Sequence, residues 1–494
     1  MPIIHWFRRD LRLRDNTALT AALLDSGGAV LPVFILDDAL LHGKDVAPAR
    51  VQFLLDCLRD LAAQLQQYGA RLIVRRGQSA QELLRLARET SARAVYYNRD
   101  YTPPARARDN AAEAALNTAG VAVKSFRDLV IHDPDEVVAM YGKPYTVFSH
   151  YKRAWVALPK PAQTIKEDWA INTLQPDMQH TSVPAIPTME ELGLATAQSI
   201  PRGGETEAMS LLYQFVTSRR MAAYNTQRDF LAEEGTSRLS PHLRFGTISP
   251  RLCYARASAT LSYEFPARRR LSPAASDPLK AGADVWISEL IWREFYCQAL
   301  YHFPHADHSN FNPAYNAMQW GSGDVELDQR RFAAWRDGRT GYPIVDAAMR
   351  ELHQTAWMHN RARMIVASFL TKDLLLDWRM GESYFMQMLV DGDPASNNGG
   401  WQWAAGTGTD AQPYFRIFNP VLQSKRYDPS GRYIRNYVPE MARVPDAYIH
   451  EPWTMPAPLQ NQVGCVIGRD YPAPIVDHAT QREVILRKFK EIRS

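Results

Sequence analysis

The segment DGDPASNNGGWQW, Asp391 to Trp403, combines two carboxylates, two adjacent amides, three glycines and two indole rings. Carboxylates accept charge-assisted hydrogen bonds from ring N–H groups and ribose hydroxyls, and Gly392 has no side chain to keep a ligand from the backbone. Two aspartates in one loop offer fewer oxygen ligands than a hard cation usually takes. The composition therefore favours a nucleotide or redox ligand, and we expect no metal.

The segment SELIWREFY carries a second group of functional side chains. Glu289, Trp292, Arg293 and Tyr296 are spaced at i, i+3, i+4 and i+7, so they share one helical face. A ring beside a carboxylate and a guanidinium suits a flat, hydrogen-bonding ligand such as a nucleobase. An ordinary surface ion pair between Glu289 and Arg293 is the alternative.

A third group lies in WMHNRARMIVASF, where Asn360 and Met364 are four residues apart. An amide both donates and accepts, so Asn360 can read a base edge or hold a flavin edge. Arg363 is a candidate partner for Asp391. A buried structural Asn–Arg pair is the alternative interpretation.

The fourth group is EGTSRLSP, with hydroxyls at Thr236, Ser237 and Ser240. Ser240-Pro241 is typical of an N-cap followed by a first-turn proline. Hydroxyls and N–H groups at a helix start can bind phosphate. A capping loop without a ligand is the alternative.

Two patterns of elements must position these residues. From residue 1 to 130, five apolar, β-branched segments alternate with helical patterns, which predicts an α/β domain with a doubly wound, parallel five-stranded sheet. Prolines recur between residues 131 and 204, which predicts a long interdomain linker. Helical periodicity from 205 to 482 predicts a larger all-α domain, and 483–494 a C-terminal helical tail. No GxGxxG follows the first strand, which argues against a nicotinamide-binding domain.

The bulk composition is that of a globular protein, with 46% hydrophobic and 22% charged residues. A formal net charge of +4 permits contact with a polyanion without demanding it. The four cysteines lie far apart, which argues against disulfides and zinc and indicates a reducing compartment. With no signal peptide and no membrane span, we expect a cytoplasmic monomer without an obligate partner protein.

The chain resembles the photolyase–cryptochrome family in six segments that occur in the same order. They are HWFRRDLRLRDN, EGTSRLSP, SELIWREFY, TGYPIVDAAMRELHQTAWMHNRARMIVASFLTKDLLLDWRMGE, DGDPASNNGGWQWAAGTGTDAQPYFRIFNP and YPAPIVDH. The resemblance covers nearly the whole chain. It implies an antenna-binding α/β domain followed by a helical domain that binds U-shaped FAD. The closest branch is the class I cyclobutane pyrimidine dimer photolyases.

The resemblance also assigns residues to the FAD, which is active as reduced FADH−. Asp391, Gly392 and Asp393 would contact it, Asn397 would face its reactive nitrogen, and Arg363 would pair with Asp391. The expected cofactor-binding set is Tyr224, Thr236, Ser237, Arg238, Leu239, Ser240, Glu289, Arg293, Asn360, Arg363, Asp391, Gly392, Asp393 and Asn397. The family's electron chain maps onto Trp401, Trp378 and the more exposed Trp320.

Several positions separate repair enzymes from light sensors. Relatives that repair six-four photoproducts place histidines where this chain has Asn360 and Met364. Plant cryptochromes usually have Asp at the positions that match Asn360 and Asn397. Animal cryptochromes commonly have Cys at the position that matches Asn397. The combination here implies light-driven dimer repair by electron transfer from excited FADH−, with Glu289 and Asn360 hydrogen-bonding the flipped-out dimer. A cryptochrome-like blue-light signalling flavoprotein without repair is the alternative.

The expected partner is UV-damaged DNA. Trp292 and Trp403 would sandwich the lesion, and Arg228, Lys425 and Arg426 would meet phosphates, with the Arg268–Arg270 run less favoured. The full lesion- and DNA-binding set is Arg228, Trp292, Arg293, Tyr296, Met364, Trp403 and Gln423.

An antenna chromophore is expected in the N-terminal domain. Folate-binding members have Glu where this chain has Ala105, so 8-hydroxy-5-deazaflavin is favoured over methenyltetrahydrofolate or FMN. Arg8, Asp37, Asp100 and Arg244 match positions near that chromophore.

Overall fold

The computed structural model describes residues 1–43, 45–161, 185–261, 278–411, 413 and 415–493. Its N-terminal domain is built on one parallel sheet with strand order β3-β2-β1-β4-β5. The strands are β1 Ile3–Phe7, β2 Val30–Leu36, β3 Ile73–Arg76, β4 Ala94–Asn98 and β5 Ala122–Phe126. The connecting helices are α1 Thr17–Ser26, α2 Asp38–His42, α3 Pro48–Gln67, α4 Ser79–Thr90 and α5 Pro103–Thr118. The predicted doubly wound, five-stranded fold is confirmed.

Both faces of this sheet are covered. Because successive strand side chains point to opposite faces, Ile3 and Phe7 enter one core while Ile4 and Trp6 enter another. The Ile3 core also contains Trp357 and residues from the helical domain. That face of the sheet therefore joins the two domains.

The remainder of the described chain is mainly helical. Its helices are α6 Phe148–Ala157, α7 Glu205–Thr217, α8 Arg219–Gln227, α9 Ser240–Phe245, α10 Pro250–Leu261, α11 Pro278–His302, α12 Val325–Arg336, α13 Pro343–Thr355, α14 Asn360–Ser368, α15 Trp378–Met388, α16 Pro394–Ala405, α17 Pro420–Tyr427, α18 Arg432–Tyr437, α19 Ala457–Val463 and α20 His478–Arg493. A π-helical turn, Phe369–Asp373, follows α14. The larger helical domain is confirmed.

Two predicted boundaries differ from the structure. The linker 131–204 contains helix α6, whose buried Tyr151 and Trp155 pack in the same core as the apolar residues of α11. Residues 483–494 are not a separate tail, because α20 begins at His478 and buries Ile485 and Phe489. Helix α6 was not predicted because its apolar face is short and aromatic and the surrounding sequence is rich in proline.

None of the helices in the described ranges has the length and apolar character needed to cross a bilayer. Within the same ranges, no three His, Cys, Asp or Glu side chains come together as a metal site. All four cysteines are free thiols.

Candidate functional site

Helix α11 directs its four predicted residues to different partners. Glu289 accepts a hydrogen bond from Arg228, the residue that ends α8. The Trp292 ring stacks on Phe148 of α6, with centroids 3.6 Å apart and planes 7° from parallel. Arg293, predicted to contact both FAD and DNA, donates to the carbonyl oxygens of Leu129 at 2.7 Å and Leu243 at 3.3 Å. Its guanidinium thus joins α11 to the loop after β5 and to α9.

Tyr296 marks the contact between α11 and α16. A Cβ on Gly399 would lie 2.1 Å from its ring, so the absence of a side chain there lets the two helices touch. Trp292 and Trp403 each lie one helical turn from this contact. The predicted lesion-binding indoles are thus carried by two helices that are in contact.

The electrostatics around Glu289 suit a proton-bearing carboxyl. Burial raises the pKa of Glu289, and the facing Arg228 guanidinium opposes this shift. The net direction is upward, because the effect of burial exceeds that of Arg228.

The predicted ion pair between Arg363 and Asp391 is present, with Arg363 Nη2 at 2.8 Å and 3.1 Å from the two carboxylate oxygens. Asn360, at the start of α14, is exposed, and its amide nitrogen lies 3.9 Å from the Met364 sulfur. The two side chains therefore lie next to each other on one face of α14. Asn397 donates to the backbone and side chain of Glu382 at 3.0 Å and 2.9 Å, which orients its amide.

Arginines of the N-terminal domain contact the loop that precedes α16. Asp393 caps α16 by accepting from Ser396 N at 2.9 Å, and it pairs with Arg9. Burial alone would raise the pKa of Asp393, but Arg9 and Arg244 outweigh it and hold the pKa well below its ordinary value. A Cβ on Gly392 would lie 2.5 Å from the Arg50 guanidinium. The lack of a side chain at Gly392 therefore makes room for Arg50, and the contact of Gly392 with a ligand stays a prediction.

The EGTSRLSP segment adopts a strained turn. Arg238 has a φ of 57°, and its guanidinium lies 3.7 Å from the centre of the Trp357 ring. Ser240 is not the N-cap that we predicted; Leu239 occupies that position, and the Ser240 hydroxyl accepts from Trp357 Nε1 at 3.2 Å. Thr236 and Ser237 are half-buried beside it, and Tyr224 is buried on α8. Trp357 is a site residue that sequence reasoning missed.

The tryptophans predicted to carry electrons share one region. Trp401 and Trp378 are buried in the same core, and the half-buried Trp320 packs against it. The edge of the Trp401 ring lies on Gly381 of α15, where a Cβ would be 2.1 Å from Trp401 Cη2. Trp378 Nε1 donates to Asn310 at 2.9 Å.

The antenna residues separate into two places. Arg9 rather than Arg8 bonds Asp100, at 3.3 Å, and Arg244 donates to the Gly392 carbonyl at 2.8 Å. Arg8 is instead paired with Asp109, between the rings of Trp6 and Tyr97. Asp37 accepts from Ser79 at 3.2 Å. The placement of these residues near an antenna chromophore stays a prediction.

The chemistry of the helical site fits a flavin dinucleotide. Among the described residues, buried Gln423 Oε1, His359 Nε2 and Arg361 Nε have no hydrogen-bond partner. The hydroxyls of Thr236 and Ser237 and the guanidinium of Arg238 are groups that bind phosphates. The carboxylate of Asp391 and the amide of Asn397 suit a ring that forms hydrogen bonds. The Arg268–Arg270 run lies outside the described residues.

Comparisons with known proteins agree with this geometry. Residues 3–167 match the family described as DNA photolyase, and residues 286–491 match the FAD binding domain of DNA photolyase. The chain is 42% identical to a deoxyribodipyrimidine photo-lyase of Halobacterium salinarum over 99% of both chains. It resembles the crystal structure of a bacterial class III photolyase from Agrobacterium tumefaciens (TM-score 0.85, 36% identity, 100% of this chain and 98% of that one). It also resembles a Synechocystis cryptochrome (TM-score 0.86, 30% identity, 98% of both chains).

Proposed function

Because this chain belongs to the DNA photolyase family, we propose that it uses light to repair cyclobutane pyrimidine dimers in DNA. It is a carbon–carbon lyase of the deoxyribodipyrimidine photo-lyase type. The observation that carries the proposal is the 42% identity to a protein of that name over 99% of both chains. Other relatives at 38–41% identity, which match at least 98% of this chain, carry the same name, and this favours repair over signalling.

FAD is the cofactor of the helical domain, and when bound it supplies the photoexcitable electron donor for the lesion. We assign its ring to Asp391 and Asn397, which Arg363 and Glu382 hold in place. The hydroxyls of Thr236 and Ser237 and the guanidinium of Arg238 are assigned to the phosphates.

The residues between α11 and α16 would receive the dimer. Trp292, supported from behind by Phe148, offers a flat apolar surface to a pyrimidine ring, and Trp403 offers a second. Glu289 would hold a proton toward a pyrimidine carbonyl and stabilise the negative charge that develops there. Arg228 would contact a phosphate beside the flipped-out nucleotides, which fixes the strand without reading its sequence.

We assign the antenna to 8-hydroxy-5-deazaflavin, near Asp37, Asp100 and Arg244. Arg9, Arg50 and Arg244 concentrate positive charge where the two domains meet, and an anionic chromophore would be attracted to that charge. We further propose a monomer in the cytoplasm, where four free thiols stay reduced.

The test is the repair of a thymine-dimer oligonucleotide under blue light by protein that carries reduced FAD. The loss of dimers is measured by chromatography of the digested oligonucleotide. We expect dimers to be lost in the light and retained in the dark. Light-driven flavin chemistry with no loss of dimers would contradict repair and support the signalling alternative.

Two variants locate the site. Glu289→Ala should lower the repair yield severalfold while FAD stays bound, because the developing charge loses its hydrogen-bond donor. Asp284→Asn is the matched control, since this carboxylate lies on the same helix and is exposed. Equal effects of the two changes would remove Glu289 from the lesion site.

A further inference from the structure

A row of aromatic rings leads from Trp401 away from Trp378 and Trp320. The Trp401 and Trp335 ring centroids are 6.0 Å apart, and those of Trp335 and Tyr384 are 5.9 Å apart. Both pairs are edge-to-face, at separations typical of rings in van der Waals contact. Phe385 fills the space beside them, 5.0 Å from Trp401. The row is therefore continuous from the buried core to Tyr384.

The row ends on a phenol with a built-in proton acceptor. The Tyr384 hydroxyl lies 2.6 Å from Nε2 of His353 on α13. Burial raises the pKa of Tyr384 to about 12, so the phenol carries its proton at neutral pH. Burial lowers the pKa of His353, although nearby Asp337 opposes this, so the imidazole is neutral and can accept.

The members of the row differ in what they can do. Trp335 is fully buried and its indole N–H donates to the Val366 carbonyl at 3.0 Å, so it has no base to take its proton. Tyr384 and His353 are only half-buried and lie where the row approaches solvent. Trp335 can thus relay an electron, whereas Tyr384 can give up an electron and a proton together.

We propose that Tyr384 and His353 form a proton-coupled electron donor, connected to Trp401 through Trp335, that supplies electrons to the flavin by a second route. The inference rests on the proposed function, because light and an oxidised flavin are needed to withdraw the first electron from Trp401. Trp335 then gives one electron to Trp401, and Tyr384 gives one electron to Trp335. The phenol O–H bond breaks as its proton moves to His353 Nε2, which leaves a neutral tyrosyl radical and an imidazolium.

The proton transfer explains why the electron would not return at once. Reversal requires the proton to move back from His353 to the phenolic oxygen in the same event. The other charged groups facing His353 are Arg336 and Asp337, at the end of α12, and Arg350 of α13. Burial and the two arginines disfavour the imidazolium and Asp337 favours it, and the net effect lowers the pKa of His353.

The test uses full-length protein with oxidised FAD, illuminated without added reductant and frozen for electron paramagnetic resonance. We expect a tyrosyl radical in the wild type and its loss in Tyr384→Phe, which keeps the ring and its packing. Tyr342→Phe is the matched control, because this buried tyrosine also donates a hydrogen bond, to the Val476 carbonyl at 2.9 Å. A wild type without the radical, or a signal that survives Tyr384→Phe, would overturn the inference.

Two further measurements separate a redox role from packing. His353→Leu should shorten the radical's lifetime, and D2O should slow its formation, because a proton moves with the electron; no change in either contradicts the coupling. In a Trp320→Phe background, residual flavin photoreduction should persist and should vanish when Tyr384→Phe is added. Complete loss in Trp320→Phe alone overturns the second route. FAD binding and dimer repair without a Tyr384 radical would refute this inference and leave the proposed function standing.

Discussion

Glu289 faces groups of both charges. Arg228 and Lys152 lower its pKa, Asp229 raises it, and the phenol of Tyr224 lies close enough for its own pKa to be raised by the carboxylate. The burial that raises the pKa of Glu289 is therefore partly offset by Arg228, which is bonded to it directly. A phosphate that attracted Arg228 would remove this offset and make a protonated Glu289 easier to form.

This arrangement predicts how lesion binding depends on pH. Affinity for a dimer-containing oligonucleotide should fall as pH rises through the pKa of Glu289, because the carboxylate can no longer donate a hydrogen bond. Arg228→Gln should move that fall to higher pH, since the opposing cation is gone. Glu289→Gln always donates and should abolish the dependence. The measurement is the dissociation constant across pH by fluorescence anisotropy, and an unchanged profile in Glu289→Gln would refute the assignment.

Residue types and spacing predicted some partners at this scale but not others. Arg363 and Asp391 were paired correctly because each charged side chain needs a partner of opposite charge. Both also lie in segments that the spacing of polar residues had marked as candidate ligand-binding segments. The spacing of Arg293 with Glu289 did not indicate that its guanidinium donates to two carbonyl oxygens of other elements. Helical spacing places a Cα on a face, but a long arginine side chain can reach past it.

At the scale of elements, Arg50 of α3 holds the end of α15. Its Nη1 donates to the carbonyls of Met386 at 2.7 Å and Leu389 at 3.0 Å, which the helix itself leaves unpaired. Gly392 lies against the same guanidinium. A helix of the N-terminal domain thus fixes the loop that carries Asp391 and Asp393.

Gly392→Ala should therefore destabilise the protein through Arg50. The new Cβ displaces a buried guanidinium and its charge-assisted hydrogen bonds, which should lower the free energy of unfolding by about 1–3 kcal/mol and weaken FAD retention. Urea unfolding and FAD content after gel filtration are the measurements.

A double-mutant cycle isolates the cause. In an Arg50→Ala background the space beside Gly392 is free, so Gly392→Ala should add little. Gly400→Ala is the control in a helix with open space around it, and its free energy of unfolding should not fall. A full loss from Gly392→Ala without Arg50 would contradict this explanation.

Elements were predictable where their pattern was long. The alternation of strands and helices over 130 residues indicated the sheet, because period-2 and period-3.6 patterns are distinct over that length. Helix α6 was missed because it is short and lies among prolines. The N-cap assigned to Ser240 was wrong because α9 begins at Ser240 itself, and the Ser240 hydroxyl accepts from Trp357, a residue distant in sequence.

At the scale of the whole molecule, the two domains share a buried ionic network. Asp128, which follows β5, accepts from Arg12 at 2.6 Å and from Arg251 of α10 at 2.6 Å. Arg251 also bonds Asp15 at 3.1 Å, and Glu205 at the start of α7 accepts from Leu13 N at 2.7 Å. No spacing pattern links these residues, so the network could not be predicted before the fold was known.

Removing the Asp128 carboxylate should lower the free energy of unfolding and change how that free energy depends on pH in acid. Burial would raise the pKa of Asp128, but Arg12 and Arg251 lower it to about 2. Since an unfolded aspartate titrates near ~3.9, the carboxylate's stabilisation is complete above about pH 4 and is lost as pH falls toward the folded value. Asp128→Asn leaves two buried guanidiniums without their carboxylate and should cost about 3–5 kcal/mol at neutral pH.

Urea unfolding at neutral pH and at about pH 3 tests both parts. The gap between wild type and Asp128→Asn should narrow at the lower pH, because the aspartate of the unfolded wild-type chain is protonated there while the folded carboxyl is still largely ionised. Asp25→Asn is the control: this carboxylate, 42% exposed, accepts from Lys124 at 2.8 Å at the surface, where solvent screens the pair, so its loss should change the free energy of unfolding far less. If Asp128→Asn cost no more than Asp25→Asn, the ionic network would not be what holds the two domains together, and the apolar core around Ile3 and Trp357 would have to supply that stability.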